Sequence, residues 1–399
     1  MTEQYLTNDT TALLPPYPME ELKRIKGNLL QKRKEVFDFG TGDPRIPLWP
    51  EINDTIRTSL SEISQYPSIV GQNELSNAHL NYLERRLGLT PSDAWKTLPT
   101  RGSKEAIFHI ALSIVGRSGG KKNIIIPNPG YPVYRTSAIF SGATPISVDL
   151  MEENDYLLEP WKLEKRLVKD AAAIWVNYPN NPTGVCAPRK YWENLIDWCQ
   201  QTDTLLLSDD CYLDIYPIEL DKDENKNKLP VSPLSISQDR VIAFFSLSKR
   251  SGMTGFRAGM IAGDSRFITP HIKARSNFGL GQPDFIQRAA AKAWSDDIHV
   301  AERRKIFSQR IKIAAEKLKE LGLLERVPDA TFYLWCKVPK QFNGNDIKFC
   351  LDLAEQGVIT TPSSWLGENI NGMFRLALVP DEQQIKTAMD KIEDFLTKI

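Results

Sequence analysis

The residues best placed to do chemistry lie in SLSKRSGMTGFRAG (246–259). Lys249 follows an apolar run, stands among the hydroxyls of Ser246, Ser248 and Ser251, and is followed eight residues later by Arg257. A lone lysine is most often a solvated surface group. Burial and a nearby cation disfavour its charged form, and the freed amine can form a Schiff base with a carbonyl cofactor. Arg375 is the second unusual group, a guanidinium inside the apolar run MFRLALV (373–379). Such a charge is costly to bury unless an anion meets it. Other chemistries are poorly supplied. The five cysteines (Cys186, Cys199, Cys211, Cys336, Cys350) contain no C-x-x-C, and His79, His109, His271 and His299 are scattered with no H-E-x-x-H. They predict reduced, mostly buried thiols in a cytosolic protein, with no metal site.

Short elements must position these groups. From about residue 100, apolar runs recur at 121–128 (KNIIIPNP), 171–179 (AAAIWVNYP), 204–212 (TLLLSDDCY), 241–248 (VIAFFSLS) and 258–264 (AGMIAGD). Their continuity suits strands buried on two faces. Helical patterns alternate with them, as in 103–115, where Ile107, Ile110, Ala111 and Ile114 share a face, and in 190–201. That alternation predicts an α/β fold with a mainly parallel sheet flanked by helices. Polar residues gather at the C-terminal strand ends, the edge at which open sheets bind ligands. Beyond residue 280, a helix over 300–321, a strand over 331–338, a helix over 346–357, the 373–379 strand and a last helix predict a smaller α+β unit. The expected division is a large domain over 45–281 and a small domain formed by 1–44 and 282–399.

Composition narrows the classes further. The chain has 399 residues, with 50 Lys+Arg against 50 Asp+Glu, and 41% of it is hydrophobic. That balance gives no basic footprint for nucleic acid. No apolar run approaches the ~18 residues of a membrane span. The opening MTEQYLTNDT has neither a basic nor an apolar segment of a signal peptide, so a soluble, cytoplasmic protein is expected. The charged patch LDKDENKNK (220–228) reads as an exposed loop.

The motifs together resemble one family. S-x-S-K with an arginine eight residues on is similar to the cofactor-lysine motif of the fold-type-I, pyridoxal-phosphate-dependent aminotransferases of classes I and II. NYPNNPTG (177–184) resembles the family's N-P-T-G motif, SDDCY (208–212) its D-x-x-Y motif, GSKEAI (102–107) its phosphate loop, and FRLAL (374–378) carries its substrate-binding arginine. The set runs in family order over nearly the whole chain.

The resemblance implies pyridoxal 5′-phosphate bound through Lys249. It implies Asp209 beneath the ring nitrogen, where a carboxylate about 3 Å away at an effective dielectric near 20 contributes on the order of 5 kcal/mol to keeping that nitrogen protonated. Tyr212 and Asn181 are expected at the phenolic oxygen, and Asp210 as a turn or cap carboxylate. Gly102, Ser103 and Lys104, at a helix start that favours anions, should hold the phosphate with Ser246, Ser248 and Arg257. Ser103 can serve there as N-cap as well. Tyr131, in NPGYPVY, is implied to stack on the ring. Tyr66, in SQYPSIVG, is implied to reach the phosphate of a neighbouring subunit in a homodimer. Arg375 would take the substrate α-carboxylate, with Gly42 of GTGDP closing over it and Asn181 beside it.

Finer features (LPPYPMEELKRI, Arg250 directly after the lysine, AWSDDIHVAERR at 293–304, PDATFYLWCKVP at 328–339) resemble bacterial N-succinyldiaminopimelate aminotransferases. The implied reaction exchanges an amino group between glutamate and N-succinyl-2-amino-6-oxopimelate in lysine and diaminopimelate synthesis. The stretch TPSSWLGENINGMFRLAL (361–378) departs from that subfamily's P-G-S-F-L, with Ser363 at its glycine. The rival activities are an aminotransferase for aspartate, aromatic amino acids or free diaminopimelate, or a C–S lyase on the same scaffold. Arg45, Arg135 and Arg275 are distal-carboxylate candidates on charge alone.

Overall fold

The computed structural model describes residues 8–14, 17–32, 34–61, 64–116, 120–222 and 228–398. The opening MTEQYLT, Pro15 and Pro16 of the LPPYP run, and residues 223–227 of the charged patch lie outside the described residues. In chain order the strands are β1 (Phe37–Asp38), β2 (Trp95–Thr100), β3 (Asn123–Asn128), β4 (Thr144–Asp149), β5 (Ala171–Val176), β6 (Leu205–Asp209), β7 (Val241–Ser246), β8 (Gly259–Asp264), β9 (Tyr333–Lys337), β10 (Val358–Ile359), β11 (Thr361–Pro362) and β12 (Met373–Ala377).

Seven of them form one sheet in the order β2-β8-β7-β6-β5-β3-β4. Strands β3 to β7 run parallel, as the alternating pattern predicts. Along them, side chains alternate between two cores, since successive residues of a strand face opposite ways. Ile174, Val176, Leu206 and Phe245 enter one core, while Ala173, Trp175, Leu205, Leu207 and Phe244 enter the other. The 258–264 run is a strand, but it pairs antiparallel with both β7 and β2. A parallel return needs a crossover of a dozen or more residues, usually helical. The link from β7 to β8 holds only the four-residue helix Leu247–Arg250. Within this sheet the strands missing from the sequence reading, β2 and β4, are the two edges, and each carries a proline (Pro99, Pro145), as edge strands tolerate.

The second unit is built on the antiparallel sheet β11-β12-β9 and the parallel pair β1-β10. Helices Asp346–Glu355 and Glu382–Leu396 cover it, with Phe349, Leu353, Ile385, Met389 and Ile392 in a core shared with Phe37, Phe39 and Phe374. The last helix opens on a capping box in which Asp381 and Gln384 each bond the other's backbone amide. The expected small-domain segment 282–399 divides, however. Helix Asp284–Trp294 packs Ile286, Ala290 and Trp294 into the core of the large sheet, against Leu75 and Tyr82. Only the later half of helix Ile298–Glu320, at Ala314, Ala315 and Leu318, joins the second core. Spacing alone does not distinguish which core an apolar face enters.

One buried ion cluster fixes the turn after β7. Arg250, 3% exposed, donates from Nε to Asp214 Oδ2 (2.9 Å), from Nη1 to the Ala293 carbonyl (2.7 Å) and from Nη2 to the Asp296 carbonyl (3.0 Å). Its guanidinium also pairs with Asp297 and lies over the Tyr82 and Trp294 rings, 5.1 and 5.4 Å from their centroids. Asp214 is held again by Arg86 Nε and Tyr82 Oη, each at 2.9 Å. Arg250→Ala is expected to cost about 3–5 kcal/mol, because buried partners are left uncompensated. The check is the urea midpoint of unfolding. Arg250→Lys should recover less than half of the loss, since one ammonium cannot span this fan of acceptors.

Candidate active site

The C-terminal edge of the large sheet and the second unit enclose a cavity of about 410 Å³. Its cationic end forms where helix Ser103–Ile114 starts. Gly102, at a φ of 78°, is the N-cap, and Ser103 is the first helical residue and not the cap expected from sequence. A Cβ on Gly102 would come within 2.6 Å of Arg257 Nη2, so only glycine lets that guanidinium lie against the helix start. Arg257 itself holds a left-handed φ of 53°, strain of the kind that functional positions retain. Its Nη1 donates to the Thr254 carbonyl (2.9 Å), and the rest of the group is exposed. Lys104 donates to Tyr17 Oη (3.2 Å), and Ser246 and Ser248 line the same end. Free helix N–H groups and two cations make a cradle for a dianion.

Deeper in, Asp209 ends β6 at 4% exposure. It makes no ion pair among the described residues. Its Oδ2 accepts from Tyr134 Oη (2.8 Å) and its Oδ1 from the Cys211 amide (3.3 Å). Burial pushes the Asp209 carboxyl above its ordinary range, with those two donors pulling the other way. Asn177 donates to the Asp209 carbonyl (2.6 Å) and accepts from the Asn181 amide (2.9 Å), linking the N-P-T-G loop to the end of β6. Tyr212 meets Tyr333 hydroxyl to hydroxyl at 2.9 Å, and burial, then Tyr333, push its phenol well up. The Lys249 ammonium donates to the Gly42 carbonyl and lies 5.7 Å from the Phe332 ring centroid.

Arg375 enters from β12 at 4% exposure. Its bonds go to neutral acceptors: Asn181 Oδ1 at 2.8 Å, the Gly40 carbonyl at 2.9 Å and Thr361 Oγ1 at 3.4 Å. Nε has no partner, and the guanidinium lies 4.6 Å over the Tyr333 ring. The same ring sets the backbone at Gly42, where a Cβ would lie 2.2 Å from Tyr333 Oη.

Ser103, Lys104, Tyr131, Asn181, Asp209, Tyr212, Ser246, Ser248, Lys249, Arg257, Gly42 and Arg375 all line this one cavity, with Gly102 directly behind it. Tyr66 does not; on the single chain it is fully exposed. Asp210 is no turn cap: it is 2% exposed and accepts from Ser208 Oγ at 2.5 Å. Arg275 is taken up by an ion pair with Glu105, and Arg45 lies 3.8 Å from Asp38. Sequence reasoning missed Tyr134, Asn177, Tyr17 and Tyr333. Each stood inside a quoted run (Asn177 in NYPNNPTG, Tyr134 in NPGYPVY, Tyr17 in LPPYPMEELKRI, Tyr333 in PDATFYLWCKVP), but none was assigned a role there. Among the described residues no cluster of His, Cys, Asp and Glu could hold a metal, and no helix is long and apolar enough to cross a membrane.

The aminotransferase class I and II family profile matches residues 34–392, and the chain belongs to that family, whose members depend on pyridoxal phosphate. It is 33% identical to an LL-diaminopimelate aminotransferase of Aquifex aeolicus over 393 residues, covering 97% of this chain and 98% of the relative. Among solved structures, an aminotransferase of Neisseria meningitidis superposes with a TM-score of 0.87 at 27% identity, covering 98% of this chain and 100% of that one. A probable N-succinyldiaminopimelate aminotransferase of Thermus thermophilus shares the fold (TM-score 0.84) at 23% identity, covering 94% and 99%. The residues fit the cofactor: the Gly102–Arg257 cradle suits its phosphate, and a buried carboxylate lacking a cation suits its ring nitrogen.

Burial pushes Asp210 up to about 7, the Ser208 and Ser232 hydroxyls opposing it. An unfolded aspartate ionises near ~4, so between those values the folded chain holds a proton that the unfolded chain has released. The stabilising effect is full below the lower value and is lost as pH rises through the upper one. Asp210→Asn keeps an acceptor for Ser208 and removes the titration. It is expected to raise the melting temperature by a few degrees at pH 8 and by clearly less at pH 5. An equal change at the two pH values would refute this assignment.

Proposed function

We propose that this aminotransferase exchanges an amino group between L-glutamate/2-oxoglutarate and a diaminopimelate-type amino acid, with Lys249 as the cofactor lysine and proton carrier. The observation that carries the α-amino-acid reading is Arg375, a buried guanidinium with neutral partners and a free Nε, facing the same cavity as Lys249. An α-carboxylate completes it through a two-pronged contact. The unacylated LL substrate is favoured by the 33% identity to a relative of that activity over nearly the whole chain. The N-succinylated substrate is the second reading, supported by the motif resemblances at 293–304 and 328–339.

When bound, pyridoxal phosphate supplies a carbonyl that condenses with amines and a ring that withdraws the electron pair left at the substrate α-carbon. Asp209, which accepts from Tyr134, would face the ring nitrogen and favour its protonated form. Tyr212 and Asn181 would donate toward the phenolic oxygen, while Gly102, Ser103, Lys104, Ser246, Ser248 and Arg257 would hold the phosphate. Arg375 and the Gly42 backbone orient the substrate so that its α-hydrogen points at Lys249. With the cofactor in place, the Lys249 amine would be the group that takes up and returns the substrate α-proton, as general base and acid. Tyr66, fully exposed on one chain, would complete the phosphate cradle of a second copy in a homodimer.

Two outcomes are expected. Lys249→Ala should abolish turnover, the imine absorbance band and borohydride trapping of the cofactor; a variant keeping any of these overturns the lysine assignment. A coupled assay comparing free LL-diaminopimelate with its N-succinyl and N-acetyl forms should give the highest kcat/KM for the free form. A preference for the succinyl form would establish the second reading, and activity on aspartate or aromatic donors alone would refute the two diaminopimelate readings.

A further inference from the structure

Beside the catalytic cavity lies another of about 530 Å³, and the two share Tyr17, Gly130, Tyr131 and Leu366 as walls. Among the charged groups lining it are Arg135 and Glu368. Arg135 sits on helix Pro132–Phe140, which begins directly after Tyr131. Its Nη2 donates to Ser147 Oγ on β4 at 2.8 Å and to Glu368 Oε2 at 2.5 Å. The arginine side chain is 24% exposed and that of Glu368 61%.

Glu368 belongs to the 361–378 stretch that departs from the subfamily pattern. The backbone there is pinned to the large sheet. Gly130 N donates to the Leu366 carbonyl (3.0 Å), Glu368 N to Asn128 Oδ1 (2.8 Å), and Asn128 Nδ2 to the Glu368 carbonyl (2.9 Å). At Gly367 a Cβ would come within 2.4 Å of Asn128 Oδ1, so glycine is what lets this loop dock. The loop therefore places a carboxylate opposite Arg135 in the cavity that adjoins the catalytic one.

We propose that this second cavity is the subsite for the far end of the substrate, where Arg135 binds the distal carboxylate and Glu368 the distal ammonium. The identity of that head group rests on the diaminopimelate reading above. A zwitterionic head laid across the Arg135–Glu368 pair exchanges one ion pair for two. An acylated nitrogen loses its positive charge, and a succinyl group brings a carboxylate toward Glu368, so the pair selects the unacylated substrate. Glutamate carries no such zwitterionic head.

The test uses holoenzyme. Arg135→Gln is expected to lower kcat/KM for LL-diaminopimelate about 30-fold or more, the scale of a lost charge-assisted contact, and to leave the glutamate half-reaction within about 3-fold. Arg135→Lys should recover part of the loss. Glu368→Gln, at an exposed side chain, should lower activity on the free substrate about 10-fold and raise it on the succinylated one. Calorimetric titration should show pimelate binding more tightly than glutarate, with the difference abolished by Arg135→Gln. A parallel fall of glutamate and diaminopimelate activity in Arg135→Gln, or no fall in either together with an unchanged pimelate preference, would overturn the subsite. If wild type ignores diaminopimelate while the Arg135-dependent preference for pimelate persists, only the substrate reading fails.

Discussion

Two opposite charges buried in one cavity, neither answered by the chain itself, set the terms for this molecule. Asp209 ends a fully buried strand with only a phenol and a backbone amide as partners. Arg375 interrupts another with only an amide oxygen, a carbonyl and a hydroxyl. Burying an unpaired charge costs several kcal/mol, so the fold holds each at the expense of stability. A ligand pair carrying a protonated ring nitrogen at one end and a carboxylate at the other relieves these two costs together. The site is thus organised before anything binds, and little reorganisation is left for the reaction to drive.

The two charges come from different cores, and neutral groups tie them. Asn181 accepts from Arg375 while its amide is fixed by Asn177, which in turn donates to the Asp209 carbonyl. Tyr333 of the second unit meets Tyr212 of the first and packs under both Arg375 and the Gly42 backbone. A displacement of either unit would therefore move the substrate anchor and the phenolic-oxygen donors together. Arg250, next to Lys249, anchors the lysine-bearing turn to Asp214 and to the helix ends near residue 296. The Arg250 charge is thereby answered by Asp214 and Asp297.

Much of this was legible in the sequence because local signals and long-range needs coincided. The parallel strands are continuous apolar runs, and the polar residues that follow them must all gather at one sheet edge. So Asn181, Asp209, Ser246 and Lys249 could be brought together before any coordinates. Three things were not legible. The direction of β8 depends on its link from β7, which holds one short helical turn and no covering crossover helix, and an apolar run does not encode direction. The allegiance of helix Asp284–Trp294 depends on which core its face meets, while amphipathic spacing records only that there is a face. Tyr134, Tyr17 and Tyr333 sit inside quoted runs, but their partners lie far away along the chain, and a residue's neighbours in sequence do not record such contacts.

The loop 361–378 joins these threads. It looked anomalous because its residues did not fit a subfamily pattern, and the structure gives the physical reason for attending to it. One of its residues, Leu366, walls the catalytic cavity and the adjacent one, and its neighbour Glu368 meets Arg135. The backbone of this loop is held by Asn128 and Gly130, at the end of the strand that also leads into Tyr131. Substitutions at 366–368 can therefore change what lies beyond the α-carboxylate without disturbing Arg375, whose neighbours are Gly40, Thr361 and Asn181. In the proposed reading, anchoring at Arg375 and selection at Glu368 reside on separate stretches of one connection, so the loop can vary while the anchor is kept.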